Sequence, residues 1–176
     1  MEEGKTIPKE LEVFFKRHQA DPTTIAGLEA DDLAAWIVGK RKNFDVGNIW
    51  LISSDKDWDL LIQDGVSRFS TVTRKEITVD TWDEHYNFDP EYFLTFKCLA
   101  GDTGDNIPGI SGIGPKRATQ LIEQYGDLYD IYNSCPIDSK YKHIQSLNEN
   151  VDRLLLNAEL MDLESYSEQA VIESGM

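Results

Sequence analysis

The chain has 176 residues, 40% of them hydrophobic, enough for one full domain or one domain and a small appendage. No apolar run approaches the roughly 18 to 20 residues of a membrane span, and "MEEGKTIPKE" lacks the basic-then-apolar pattern of a signal peptide, which points to a cytoplasmic protein. A formal net charge of -15 argues against an ordinary basic nucleic-acid binder and leaves two readings, a solubilising surface or carboxylates gathered around divalent cations.

After Pro8, the residues Leu11, Phe14, Phe15 and His18 recur at helical spacing and predict a first amphipathic helix, followed by a loop over "QADPTTIAG". A second helix is expected from about Glu29, with Leu33, Trp36 and Ile37 on one face. "NIWLISS" (48–54) reads as a short strand buried on both sides, the habit of parallel sheets. "DWDLLIQ" then suggests a helix, and "VSRFSTVT" and "KEITV" suggest short strands. Asp89 and Pro90 form an N-cap and N1 pair before a helix with a buried stripe of Tyr92, Phe93, Phe96 and Leu99. Within that run Cys98 reads as a reduced core thiol, and with Cys135 it forms no metal or redox spacing. Pro115 opens another helix, with Ala118, Leu121, Ile122 and Tyr125 on one side and Gly126 at the C-terminal cap. Val151, Leu154, Leu155, Ala158 and Met161 mark a last long helix. Strand-helix alternation therefore gives way to a helical second half.

Three acidic clusters stand out along this order. "GLEADDLAAW" carries Glu29, Asp31 and Asp32 at a helix start, "LISSDKDWD" carries Asp55 and Asp57 just beyond a strand, and "GDTGDN" carries Asp102 and Asp105 in a loop. Each has a purely structural explanation. Acids at a helix N-terminus complement the macrodipole by about 0.3 to 1 kcal/mol apiece, Asp57 can cap the helix after it, and Asp105 with Asn106 suits a turn. "DKDWD" is not an EF-hand, because the sixth and twelfth loop positions from Asp55 are Leu60 and Val66, not Gly and Glu. What favours chemistry is the combination. Ligands of open α/β sheets gather outside the carboxyl ends of strands, and two Mg²⁺ about 4 Å apart, held by a few carboxylates, can hydrolyse a phosphodiester.

"PGISGIGPKRA" reads G-x-x-G-x-G, not the dinucleotide fingerprint G-x-G-x-x-G, and no strand is expected before it. As a helical hairpin it would let Gly112 and Gly114 bring backbone N–H groups to a phosphate, with Lys116 and Arg117 adding charge to the same contact. Nothing in it reads bases, so binding would be sequence-independent.

"GLEADDLAAW", "LISSDKDWDLL" and "GDTGDNIPGISGIGPKRA", in that order, resemble the bacteriophage 5′-nucleases. These are 5′-3′ exonucleases and flap endonucleases similar to the 5′-nuclease domain of bacterial DNA polymerase I. The resemblance implies an α/β fold, the remnant of a PIN-like parallel sheet over residues 1–88, then a helical helix-three-turn-helix region over 89–176. It implies a Mg²⁺-dependent enzyme, with Mn²⁺ as a substitute, that cuts DNA at a 5′ flap, 5′ overhang or nick in the cytoplasm of the host cell. By motif, Glu29, Asp31, Asp32, Asp55, Asp57, Asp102 and Asp105 would be metal ligands, with Glu29, Asp31, Asp55 and Asp57 catalytic. Gly112, Gly114, Lys116 and Arg117 would grip duplex DNA at a hairpin that in relatives also holds K⁺.

The chain also departs from the pattern. Family members carry roughly another hundred residues before the "EADD" helix, about one small domain, supplying further strands, two more aspartates and a basic helical arch. Only 28 residues precede Glu29 here, and Lys16, Arg17 and His18 match the helix leading out of the arch. The expectation is a chain that pairs with another polypeptide, such as one carrying the N-terminal half, self-associates, or is only marginally stable. A non-catalytic, structure-selective DNA-binding module is the alternative. Two Mg²⁺ would move the formal charge only from -15 to -11, so DNA affinity should be weak and salt-dependent.

Overall fold

The computed structural model describes residues 28–174. The helix expected over Leu11 to His18, with Lys16 and Arg17, and the loop to Gly27 lie outside the described residues. The fold is mixed α/β, mostly helical with a small sheet, and the chain divides into two compact units, Met1–Ile49 with Glu164–Met176, and Trp50–Leu163. No helix among the described residues is long and apolar enough to cross a membrane.

In the first unit, α1 (Ala30–Lys40) starts at Glu29, and α7 (Leu163–Glu173) supplies Glu168, whose Oε1 accepts from Lys40 Nζ at 2.6 Å. The buried face of α1 is Ala34, Ala35 and Val38, whereas Leu33, Trp36 and Ile37 are only half-buried.

The second unit holds a sheet of order β1-β2-β3, with β1 (Ile49–Ile52) running into it from the boundary, β2 (Val66–Phe69) and β3 (Glu76–Ile77). β2 and β3 pair antiparallel, Arg68 opposite Ile77 and Phe69 opposite Glu76. Burial along β1 alternates: Ile49 and Leu51 are buried, and Ile52 is 56% exposed. Full burial of this strand on both faces is thus not observed. "DWDLL" forms a 3-10 turn over Asp57–Leu61, not an α-helix, because Asp59 turns inward to a buried ion pair. An aromatic cluster of Trp82, Tyr86, Phe88, Phe93 and Phe96 packs beside it.

α2 (Phe93–Ala100), preceded by a 3-10 turn at Pro90–Tyr92, is the central element. It leads into a two-stranded hairpin, β4 (Gly101–Asp102) antiparallel to β5 (Ile107–Pro108), so a short strand does precede the glycine-rich turn. Then follow α3 (Pro115–Tyr125), α4 (Leu128–Ser134), α5 (Lys142–Glu149) and α6 (Asp152–Met161). α3 buries Ala118, Leu121 and Ile122, and Gly126 closes it at φ 98°, as its sequence predicts. Cys98 is fully buried in the helical core, and burial pushes its thiol up to about 12. The expected last long helix stops at Asp162, and its inward residues are Leu154, Asn157 and Met161, with Leu155 at the surface. Asn157 turns inward because its Nδ2 donates to Cys98 O and Pro108 O, both at 3.0 Å, tying α2 to the hairpin. Leaving the buried Cys98 carbonyl unbonded would cost about 1–3 kcal/mol.

Candidate metal centre and nucleic-acid hairpin

The D-x-D segment leaves β1 and is fixed by local bonds. Asp55 N donates to Ser53 Oγ at 3.1 Å, and Asp57 N to Asp55 Oδ1 at 3.0 Å. These are ST- and Asx-type turns, which fix the backbone of the loop that carries Asp57. The second acidic segment is organised by the β4–β5 hairpin. Asp102 Oδ1 accepts from Gly104 N at 2.7 Å and Asp105 N at 3.3 Å, leaving Oδ2 directed elsewhere. Asn106 closes the turn at φ 57°, a left-handed conformation that Asn tolerates.

The two segments meet at Lys97. This lysine is 5% exposed on α2, and its Nζ donates to Asp57 Oδ1 at 2.5 Å and to Asp102 Oδ2 at 3.0 Å. Asp57, Asp102 and Asp105 each offer a carboxylate oxygen, all within 4.8 Å of one another. Burial raises the Asp57 carboxyl above the usual range, only partly opposed by Lys97, and Asp102 and Asp55 raise it further. Burial also works against ionised Asp102, but the Lys97 bond and charge, with the Gly104 and Asp105 amides, outweigh it and hold that carboxyl low. Burial tends to lower Lys97, yet its bonds to Asp57 and Asp102 leave it raised. Three hard oxygen donors beside one ammonium fit a hard divalent cation such as Mg²⁺ or Mn²⁺, which takes oxygen ligands and retains waters.

The seven expected acids are thus placed as follows. Asp57, Asp102 and Asp105 converge. Asp55 is outside that triad, with Oδ1 committed to the Asp57 amide. Glu29, Asp31 and Asp32 sit together at the start of α1 in the other unit, where Asp32 Oδ2 accepts from Glu29 N at 3.2 Å, one half of a capping box. Lys97 was not anticipated. Its signal in the sequence is a single charge inside the apolar run "FLTFKCLA".

The glycine-rich turn is anchored by Ile110 and Ile113, both buried, with Ile113 N bonded to Ile110 O at 2.9 Å. Gly112 lies at φ 79°, and its carbonyl accepts from Arg117 Nη1 at 2.5 Å. Gly114 caps α3, and Lys116 and Arg117 are exposed in its first turn. In that turn the Arg117 and Ala118 amides donate to Gly114 O, both at 3.0 Å, at the positive end of the helix dipole. An exposed phosphate oxygen would find that dipole and two cationic side chains together.

The profile of the family described as 5′-3′ exonuclease, C-terminal SAM fold, matches residues 88–172. The chain is 44% identical over 153 residues to the flap endonuclease of Escherichia phage T5, covering 86% of this chain and 52% of that protein. It is similar in structure to the T5 5′-exonuclease with bound divalent zinc ions, at a TM-score of 0.77 and 40% identity, over 95% of this chain and 66% of that one. It is also similar to a bacteriophage T5 flap endonuclease complex with DNA and metal ions, at a TM-score of 0.78 and 39% identity, over 95% of this chain and 65% of that one. This chain spans about half the length of the T5 relative.

Proposed function

The chain belongs to the 5′-3′ exonuclease and flap endonuclease family, and from that premise we propose that it carries metal-binding and DNA-gripping parts of a divalent-metal-dependent 5′-nuclease. The observation that carries this reading is the convergence of Asp57, Asp102 and Asp105 within 4.8 Å. These three would hold Mg²⁺ or Mn²⁺, with Asp55 as a further ligand, and by their own motif Glu29, Asp31 and Asp32 are also proposed metal ligands. The metal supplies activation of the attacking water and neutralisation of the leaving oxygen of the phosphodiester. Glu29, Asp31, Asp55 and Asp57 are the proposed catalytic carboxylates, and Asp102 and Asp105 complete the ligand set. Lys97 balances the charge of Asp57 and Asp102. Gly112, Gly114, Lys116 and Arg117 hold the duplex through its backbone, so substrates are 5′-flapped, 5′-overhanging or nicked DNA of any sequence.

By the family resemblance, we propose that backbone carbonyls of the glycine-rich hairpin hold K⁺. DNA binding should be tighter in KCl than in LiCl at equal ionic strength, and equal affinities would dismiss K⁺.

A second reading is favoured by β1, which ends the sheet's strand order among the described residues and leaves Ile52 exposed. In it a second polypeptide, carrying the N-terminal nuclease half, or another copy of the chain completes the sheet. One set of assays separates the readings. The chain and its Asp105→Asn variant are incubated with 5′-flap and 5′-overhang DNA in Mg²⁺ or EDTA. Cleavage in Mg²⁺ alone, reduced at least 100-fold in the variant, is the expected result for an autonomous nuclease, in keeping with about 2.7 kcal/mol or more of lost stabilisation. Cleavage appearing only on addition of the N-terminal polypeptide selects the split enzyme. DNA binding in EDTA with no cleavage in any arm leaves a binding module and rejects catalysis.

A further inference from the structure

Arg68, on β2, is 2% exposed and lies on neither acidic motif. Its guanidinium makes a two-pronged bond to Asp59, Nε to Oδ1 at 2.5 Å and Nη2 to Oδ2 at 2.9 Å, while Nη1 donates to Ser53 O at 3.0 Å. Asp59 is wholly buried and also accepts from Tyr86 Oη at 2.6 Å. Ser53 N in turn donates to Phe69 O at 3.2 Å. One side chain therefore fastens both ends of residues 53–59, the segment that carries Asp55 and Asp57, to the middle of the sheet.

We propose that Arg68 is a positioning residue for the metal centre, acting through Asp59 and the Ser53 carbonyl to set where Asp57 meets Asp102. The proposal rests on the metal-centre reading above. A buried ion pair is not needed for stability as such, since well-packed apolar groups of similar volume do as well or better. What apolar groups cannot do is fix a loop by three directed bonds. The planar fork matches the Asp59 carboxylate, and the remaining nitrogen is thereby aimed at Ser53. Supports of this kind change metal affinity by about 10- to 100-fold.

The test is Mn²⁺ binding to the full chain, read by electron paramagnetic resonance and calorimetry with no substrate present. Two variants are compared with the parent, Arg68→Lys and the apolar replacement Asp59→Leu with Arg68→Met and Tyr86→Phe. The apolar replacement should melt close to the parent yet bind Mn²⁺ roughly 10-fold or more weakly. Arg68→Lys, which keeps charge and loses the fork, should weaken binding several-fold. If the triple variant does not fold, the Arg68→Lys titration, run below its melting temperature, decides alone. Parent-like Mn²⁺ affinity in a folded variant overturns the proposal while leaving the metal centre standing. Failure of the metal-centre reading looks different: the parent binds no Mn²⁺, or Asp57→Asn binds it as tightly as the parent, and the proposal falls with it.

Discussion

Lys97→Met is expected to destabilise the chain by about 2–4 kcal/mol in EDTA at neutral pH, and to make its stability depend on divalent metal. The Lys97 side chain is 7% exposed and serves two carboxylates that are each 21% exposed, so removal leaves Asp57 and Asp102 facing each other and Asp105 with no cation between them. In a domain of this size that loss corresponds to a melting temperature lower by roughly 5–15 °C. The pH dependence has a definite sign. In the parent, Asp102 is held low, so its contribution is present above the ordinary aspartate pKa and fades as pH falls through the folded value. Lys97 is raised, so its share is present below the unfolded lysine pKa and is lost as pH rises through the folded one. Asp57 is raised, and its ionisation already costs stability above its unfolded value. Without Lys97 both carboxyls join the raised class, so the deficit is largest at neutral pH and shrinks on acidification. Mg²⁺ replaces the missing charge and binds only the folded chain, adding RT ln(1 + [Mg²⁺]/Kd), so the variant gains more from Mg²⁺ than the parent does. Thermal melts at two pH values, in EDTA and in MgCl₂, check all three statements. Parent-like melting in every condition would falsify the role given to Lys97.

The outcome for individual residues shows what kind of information the linear order carries. α3 was legible because its apolar period, the proline at its start and Gly126 at its end all act within one element. Cys98 was legible for the same reason, lying in an apolar helical run. The meeting of Asp57 with Asp102 and Asp105 was not readable from spacing; it was expected from motif order and a family resemblance. Lys97 stayed hidden because a lysine in an apolar helix reads equally well as a snorkelling surface residue, and only the folded loop brings carboxylates to it. Asp59 looked like one more acid of "DKDWD" until β2 placed Arg68 against it from nine residues away. The one-sided burial of β1 was equally invisible, since four consecutive apolar residues do not say which face is covered. Local propensity fixes elements; long-range charge pairing, which no window of sequence contains, decides which acids belong to the site.

The largest purely structural effect is expected at the base of the β4–β5 hairpin, where Gly109→Ala should cost about 3–5 kcal/mol, with Gly101→Ala at least as severe. A Cβ at Gly109 would fall well inside 3.0 Å of the Ala100 carbonyl and the Gly101 amide nitrogen, and one at Gly101 would meet Gly109 N and Ile107 O. These neighbours are backbone, so no flexible side chain can yield. Gly101 is further constrained by φ 79°, which L-residues adopt only with strain. To admit a methyl group the strands must part, and three features go together: the bond from Ile110 N to Leu99 O at 2.9 Å, the hold of Asn157 on Pro108 O, and the placement of Asp102 against Lys97. Gly109→Ala should therefore lose both thermal stability and any Mg²⁺-induced rise in melting temperature. Gly114 gives the opposite case within the same motif. Its φ of -98° suits any residue and nothing lies within 4 Å of an added Cβ, so Gly114→Ala should melt within about 1 kcal/mol of the parent. If Gly114 is the point of closest phosphate approach, that stable variant should nonetheless bind nicked duplex several-fold more weakly. The pair separates two uses of glycine thirteen residues apart at most, backbone meeting backbone at positions 101 and 109 and backbone meeting DNA at 114. A Gly109→Ala chain that melts with the parent would mean the hairpin tolerates separation and the close approach holds nothing in place.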